Sequence, residues 1–340
     1  MNIQNILDDI YSNLTGDPSK DGPYLKEQSN KYAQTEFSKE LDREFAKIMY
    51  ETTEKEYKDA LYSFLDNENK KIDEQLENAR KKYVNLNYNA GLDILGEIIR
   101  NNFFAWNDTE EYTYKCFGTP LEYLLYKNIF EDKNNIKPIK SVGCNLAKVY
   151  WMYAFGLIRK QRYDESLNAL ERARSLNPAD PEIYIQFAEI GKFTNSIKML
   201  KMAADTLLKC AVSKEQVGKA YFTYSFYFSE MREYEKAAAL LQMSKIFRES
   251  DLHETELKFI SNSLGHSPKT YTSTELMNIL ITENIQPGPS AAVVHLANTI
   301  AKDFDEKNDL RYAKYFYDIV YELTEDEKTL NRIQEIEKQL

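Results

Sequence analysis

Seven residues recur at one fixed offset. Tyr150, Ala154, Leu157, Tyr163, Ser166, Leu170 and Ala173 are matched, each 71 positions further on, by Tyr221, Ser225, Phe228, Tyr234, Ala237, Leu241 and Ser244. In each set the first three fall on one face of a helix and the last four on one face of a second, because residues three and four apart share a helical face. "RKQR" makes a polar turn between the two helices of the first set. Asn177-Pro178 ends its second helix, since proline has no amide hydrogen to donate and disfavours helix in the residue before it. Asp180-Pro181 then restarts the chain, with Asp as cap and Pro at the first helical position. The unit is a helical hairpin of about 34 residues. Small residues at Ala154, Ser166 and Ala173 let its helices approach, and the large residues between them fill the remaining space.

The pattern extends in both directions. "PEIYIQFAEIGKFTNSIKMLKMAADTLLKCA" is the middle pair between the two matching sets. Tyr88, Gly91, Leu95 and Ile98 match the second helix of an earlier unit, and Leu310, Ala313, Tyr317 and Val320 that of a later one. Another pair lies within 252–286, its second helix opened by Thr272 and Glu275 at capping-box spacing. Four hairpins are recognisable and two are degenerate. Residues 103–140 are an irregular insertion in which Thr119, Pro120 and Glu122 start a short helix and "EYTYKCF" is a short strand or a loop. Only 11 glycines and 9 prolines in 340 residues interrupt the helical pattern.

The order of aromatic, small, aromatic, small and proline in Tyr150, Ala154, Leu157, Tyr163, Leu170, Ala173 and Pro178 resembles the tetratricopeptide repeat (TPR). Ser166 stands where that repeat usually has alanine, and Tyr150 where it usually has tryptophan. From about residue 85 onward the order of elements is similar to that of uncharacterised bacterial TPR proteins; the resemblance does not cover residues 1–70. It implies an all-α fold, a right-handed superhelical solenoid of TPR-like hairpins, and binding of a peptide or protein segment; it implies no activity.

The expected organisation is an N-terminal helical segment over 1–66 and the repeat array over 67–340, with the insertion at 103–140. "TGDPSKDGP" at 15–23 reads as a flexible link, being rich in proline and glycine. Beyond it, Phe37, Leu41, Phe45, Ile48 and Met49 share one helical face, and Tyr57, Leu61, Phe64 and Leu65 another. The charged "TEDEKTLNRIQEIEKQL" caps the last hairpin, whose apolar face would otherwise meet water.

Composition narrows the function. A net charge of −10 opposes a nucleic-acid partner, which needs clustered Lys and Arg along a face. The start lacks the basic and apolar segments of an export signal, and "VYWMYAFGLI" is too short to span a membrane, so a cytoplasmic protein with no membrane partner is expected. Cys116, Cys144 and Cys210 are far apart and read as free thiols, not as a disulfide framework or a zinc site. His253, His266 and His295 form no metal-binding pair, and no glycine-rich phosphate loop is present. Carboxylates are plentiful but belong to solvated faces. Hence no catalytic, cofactor or metal site, and no enzyme, is expected.

A binding surface has more support. In an array of hairpins the first helices line one concave surface. Trp151 and Phe155 sit one residue beside the packing set of their helix, Phe222 and Phe226 occupy the matching offset later, and Lys148 and Lys219 lie one turn before each pair. These six are the candidate partner-binding residues, aromatic anchors with cationic neighbours; the alternative is that the aromatics are core. The offsets carry aromatics instead of the Lys and Asn that clamp acidic C-termini, so the bound segment is apolar or mixed; only the last hairpin, with His295, Asn298 and Lys302, is polar enough for a carboxylate. The expected function is a protein interaction scaffold or adaptor, with homo-oligomers left open. The alternative is a peptide- or ligand-responsive regulator acting through its N-terminal helices, although residues 1–66 show no basic helix-turn-helix.

Overall fold

The computed structural model describes residues 3–35, 37–38, 41, 44–45, 48, 71–102, 107–142 and 145–340. Met49, Tyr57, Leu61, Phe64, Leu65 and Cys144 lie outside them. The described chain is nearly all helix, and its contacts divide it into two compact units, residues 1–116 with 137–161 and residues 117–136 with 162–340. The first unit is discontinuous, because the second strand and the helix after it return to it.

The first unit opens with α1 (Ile3–Ser12) and α2 (Pro18–Tyr32). Ile3, Ile6, Leu7 and Ile10 of α1 form a core with Leu25, Tyr32, Phe37, Leu41, Phe45 and Ile48, as the helical spacing of these residues predicts. The expected flexible link at 15–23 is instead a capped turn running into α2. The Asp21 carboxylate accepts hydrogen bonds from Thr15 N, Thr15 Oγ1 and Gly16 N, each 2.8 Å, and Gly16 takes the left-handed backbone (φ +77°) the turn requires. Pro18 sits at the first helical position, where its missing amide hydrogen removes nothing.

Next come α3 (71–84) and α4 (Tyr88–Asn102), then β1 (Thr113–Lys115), β2 (Ile139–Ser141) and α6 (Leu146–Arg159). Tyr83 is held between α4 and α6: a Cβ at Gly91 or at Gly156 would collide with its ring or hydroxyl. Its ring also meets Tyr88 at 5.7 Å and Phe155 at 5.6 Å between centroids. β1 and β2 pair in parallel, Thr113 opposite Ile139 and Lys115 opposite Ser141, so "EYTYKCF" does contain a strand. A parallel pair needs a crossover between its strands, and here that crossover is residues 117–136 of the second unit.

The second unit contains α5 (Pro120–Leu125), a π-helical turn (Tyr126–Phe130), α7 (Tyr163–Leu176), α8 (Pro181–Phe193), α9 (Ile197–Cys210), α10 (Lys214–Glu230), α11 (Tyr234–Phe247), α12 (Leu252–Leu264), α13 (Ser273–Thr282), α14 (Ala291–Glu306), α15 (Leu310–Thr324) and α16 (Glu327–Glu337). The expected caps are present. Thr119 accepts from Glu122 N while the Glu122 carboxylate accepts from Gly118 N, Asp180 accepts from Glu182 N ahead of Pro181, and Thr272 with Glu275 forms a full capping box. Successive helices from α7 to α12 pack on one another, and alternate helices also touch, α8 on α10 and α11 on α13.

Of the seven recurring positions in the second set, all but Tyr234 are buried. Two carry serine, and each hydroxyl bridges the helices it separates: Ser225 donates to the Ala237 carbonyl (2.8 Å) and Ser244 lies 2.7 Å from that of Gly218. Five turns share one backbone geometry. Leu86, Gln161, Asn195, Arg232 and Asn308 are all left-handed (φ 51–60°), each two residues before the next helix begins. In four of them the following amide donates five residues back, Asn87 to Lys82, Ser196 to Gly191, Glu233 to Phe228 and Asp309 to Phe304, which closes the end of the first helix.

Stacking in simple succession ends after α13. In a linear solenoid each hairpin touches only its neighbours, but α14 packs on α5 and α9, earlier in the unit. The Tyr221 hydroxyl donates to the Gln286 carbonyl (2.8 Å) and accepts from Gly288 N (2.6 Å), Gln286 Nε2 donates to the Leu208 carbonyl (3.3 Å), and Lys214 N donates to Glu322 at 3.0 Å. The last hairpin therefore folds back on the array. α16 closes it as expected, with Arg332 gripping Asp305 through Nε (2.7 Å) and Nη2 (2.6 Å).

Two stability measurements follow from this geometry. Arg232→Gly should raise the melting temperature by a few degrees, because glycine takes the left-handed conformation without the cost, up to about 1 kcal/mol, that a β-carbon incurs. Gly156→Ala should lower stability by about 1–3 kcal/mol in urea denaturation, since Tyr83 has nowhere to move.

Candidate functional site

Three rows of residues emerge when the hairpins are aligned at their turns. Lys148, Trp151, Phe155 and Ile158 of α6 correspond to Glu182, Ile185, Glu189 and Lys192 of α8, 34 positions on, and these to Lys219, Phe222, Phe226 and Ser229 of α10, 37 further. The α6 row belongs to the first unit and the other two to the second, so the six expected residues divide three and three.

In the first unit, Phe155 packs with Tyr83 and with Tyr88 (6.4 Å between centroids), and the Arg159 guanidinium lies 4.9 Å from its ring centre. Phe155 is thus a packing residue, half-buried among tyrosines. Trp151 is half-buried on the same helix, and Lys148 is exposed, its amide capped by the Asn145 side chain.

The second unit builds a more varied face from α8, α10 and α12. Phe222 is buried and Phe226 half-buried. The cation beside them is not the expected Lys219, which pairs with Glu215 at 2.9 Å. It is Lys192, whose Nζ lies 4.8 Å from the Phe222 ring centre and 6.0 Å from that of Phe226. This side chain is only 20% exposed, and its one ion pair, to Glu189, is long at 3.5 Å. Burial accordingly pushes the Lys192 ammonium below its ordinary pKa, against the upward pull of Glu189 and Glu256. Gln216 Nε2 donates to Glu182 (2.9 Å) and ties α10 to α8 at the other end of the face.

α12 completes this face. Glu256 is buried and accepts a hydrogen bond from Ser229 Oγ at 2.9 Å. Burial raises its carboxyl above the usual range, outweighing the hydroxyl and the nearby Lys192. His253, fully buried, meets the Phe222 ring edge-on at 5.3 Å. A shallow depression lined by Glu235, His266, Ser267, Lys269 and Tyr271 lies elsewhere; its tyrosine hydroxyl donates to Glu235 and its lysine pairs with Glu275.

Lys192, Ser229 and Glu256 are the residues that sequence reasoning missed. The signal for Lys192 was present, 34 positions after Ile158, but the middle hairpin keeps too few of the recurring aromatics to draw attention to its own face. Cys116 and Cys210 are buried and carry no disulfide. Among the described residues no group of three or more His, Cys, Asp or Glu is placed to hold a metal ion, and no helix is long and apolar enough to cross a membrane. The chain matches no protein-family model and no curated protein.

The face separates packing from contact within one helix. Phe222→Ala should cost about 3–5 kcal/mol in chemical denaturation, the range for a buried aromatic, whereas half-buried Phe226→Ala should cost about 1–2 kcal/mol.

Proposed function

We propose that the chain is a TPR-like interaction scaffold or adaptor, and that the face formed by α8, α10 and α12 is the groove in which it holds an apolar or mixed peptide segment. The repeat assignment is supported by the common left-handed turn of the hairpins and by the burial of the recurring small positions. The observation that carries the binding reading is Phe226, an aromatic ring left half open to solvent next to a lysine that has lost most of its water. A bound apolar side chain covering Phe226 would take that ring out of water, and a main-chain carbonyl would give the Lys192 ammonium a second acceptor beside its long hydrogen bond to Glu189 (3.5 Å).

The mixed charge of the face fits a mixed segment: Lys192 pairs with Glu189 and Lys219 with Glu215, while Glu182 is held by Gln216. The protein acts by binding and carries out no reaction of its own.

A fluorescence-anisotropy screen of apolar and mixed peptides against the full chain tests the proposal. Phe226→Glu should weaken any peptide that binds by about tenfold or more, with the melting temperature kept within a few degrees, and Phe155→Glu should act only through folding. Peptides that bind the Phe226→Glu protein as tightly as the native one would move the site elsewhere.

A further inference from the structure

α12 is thirteen residues long and buries only three of them, His253, Glu256 and Ile260. Two of the three are ionisable, and each is received by a single serine hydroxyl, His253 by Ser244 of α11 and Glu256 by Ser229 of α10. We propose that α12 is an acid-released latch: protonation of His253 undocks it from α10 and α11 and removes one wall of the peptide-binding face.

The hydrogen bonds of the His253 ring place one proton on Nδ1 and accommodate Nε2 in either state. Its Nδ1 lies 3.0 Å from the Ser250 carbonyl, which can only accept, so the proton of the neutral ring sits on Nδ1. Nε2, 2.8 Å from Ser244 Oγ, then accepts the serine proton. When a second proton arrives at Nε2, the Ser244 hydroxyl must turn its own proton to the Gly218 carbonyl, 2.7 Å away. Every hydrogen bond can survive that change. What finds no match is the charge.

The surroundings of the imidazole oppose a cation. α10 presents the Phe222 ring, set in a T with the imidazole, and the Gly218 carbonyl, while Lys245 of α11 and Arg248 at its end add positive charge. The connection to α12 offers one acid, Glu249. On α12 itself Glu254 is exposed, and Glu256 is engaged by Ser229 and lies near Lys192. Burial is the largest effect, the two cations add to it, and together they hold His253 below its ordinary pKa. The undocked helix therefore takes up the proton more readily than the docked one, and docking weakens as pH falls through the histidine range. Glu256 works in the opposite sense. Its pKa is raised in the docked state, so its contribution is fullest at low pH and is lost as pH rises. Docking is thus weakest between the ordinary pKa values of the two groups, where both are charged once the helix is free.

The latch concerns regulation of the proposed groove, but its test reads helix docking whether or not any peptide binds. Amide exchange of the full chain is followed by mass spectrometry at about pH 7.5 and about pH 5, corrected for intrinsic exchange rates, with residues 197–210 as internal reference. Protection of residues 252–264 should fall about tenfold relative to that reference in the native chain, should not fall in His253→Asn, and should fall more steeply in Glu256→Gln, where only the histidine titrates. An equal loss in native chain and His253→Asn, or no loss in the native chain, overturns the proposal. Should His253→Asn fail to fold, proton NMR of the native chain decides. His253 must then titrate below the ordinary histidine value, together with loss of protection in α12; titration at that value overturns the latch.

Discussion

The left-handed residue two positions before the second helix of a hairpin governs the described array. With φ fixed near +55°, the chain reverses in a few residues, the amide after it reaches five residues back, and the second helix must lie antiparallel against the first. Close approach then becomes a condition, and the small residues meet it. At Gly218 a β-carbon would stand 2.6 Å from the Arg248 β-carbon, and the serines at 225 and 244 replace alanine where each hydroxyl has a polar partner on a neighbouring helix, the Ala237 carbonyl for Ser225 and the Gly218 carbonyl or His253 ring for Ser244. The faces outside these seams are left free to vary, which is why one helix can present Trp and Phe where the next presents Ile and Glu.

Much of this was legible in the sequence. Helix spacing, caps and buried positions follow from periodicities of three and four and from Asp, Thr and Pro at the starts of helices, and these held from Ile3 to the capping box at Thr272. The turn geometry was only partly visible. Asparagine at 195 and 308 favours the left-handed region, but Leu86, Gln161 and Arg232 give no such sign. The stretch at 15–23 misled for the opposite reason: its prolines and glycines match a link in composition, while Asp21 satisfies the amides of the turn and Pro18 begins a helix.

The fold-back of the last hairpin had no sequence signal at all. It depends on Tyr221 meeting the backbone at Gln286 and Gly288, and on Lys214 meeting Glu322, pairings that periodicity cannot express. The candidate site was half visible for a related reason. Phe222 and Phe226 stand out in a sequence as aromatics, whereas a lysine becomes notable only once its neighbours have stripped its water, and a buried glutamate only once a serine receives it. Phe155 shows the converse: it has the same offset as Phe226, but the tyrosines of the preceding hairpin cover it.

The crossover at 117–136 has a consequence for synthesis. Leu121 and Leu125 of α5 are buried, and α5 packs on α14, which begins 170 residues after Leu121. At the usual rates of translation that separation is roughly 10–30 s. During that interval β1 and β2 can already have paired while the apolar side of the segment between them has emerged without its partner. A nascent chain of this protein therefore exposes the apolar side of "PLEYLLYKNIF" until α14 has emerged to cover it.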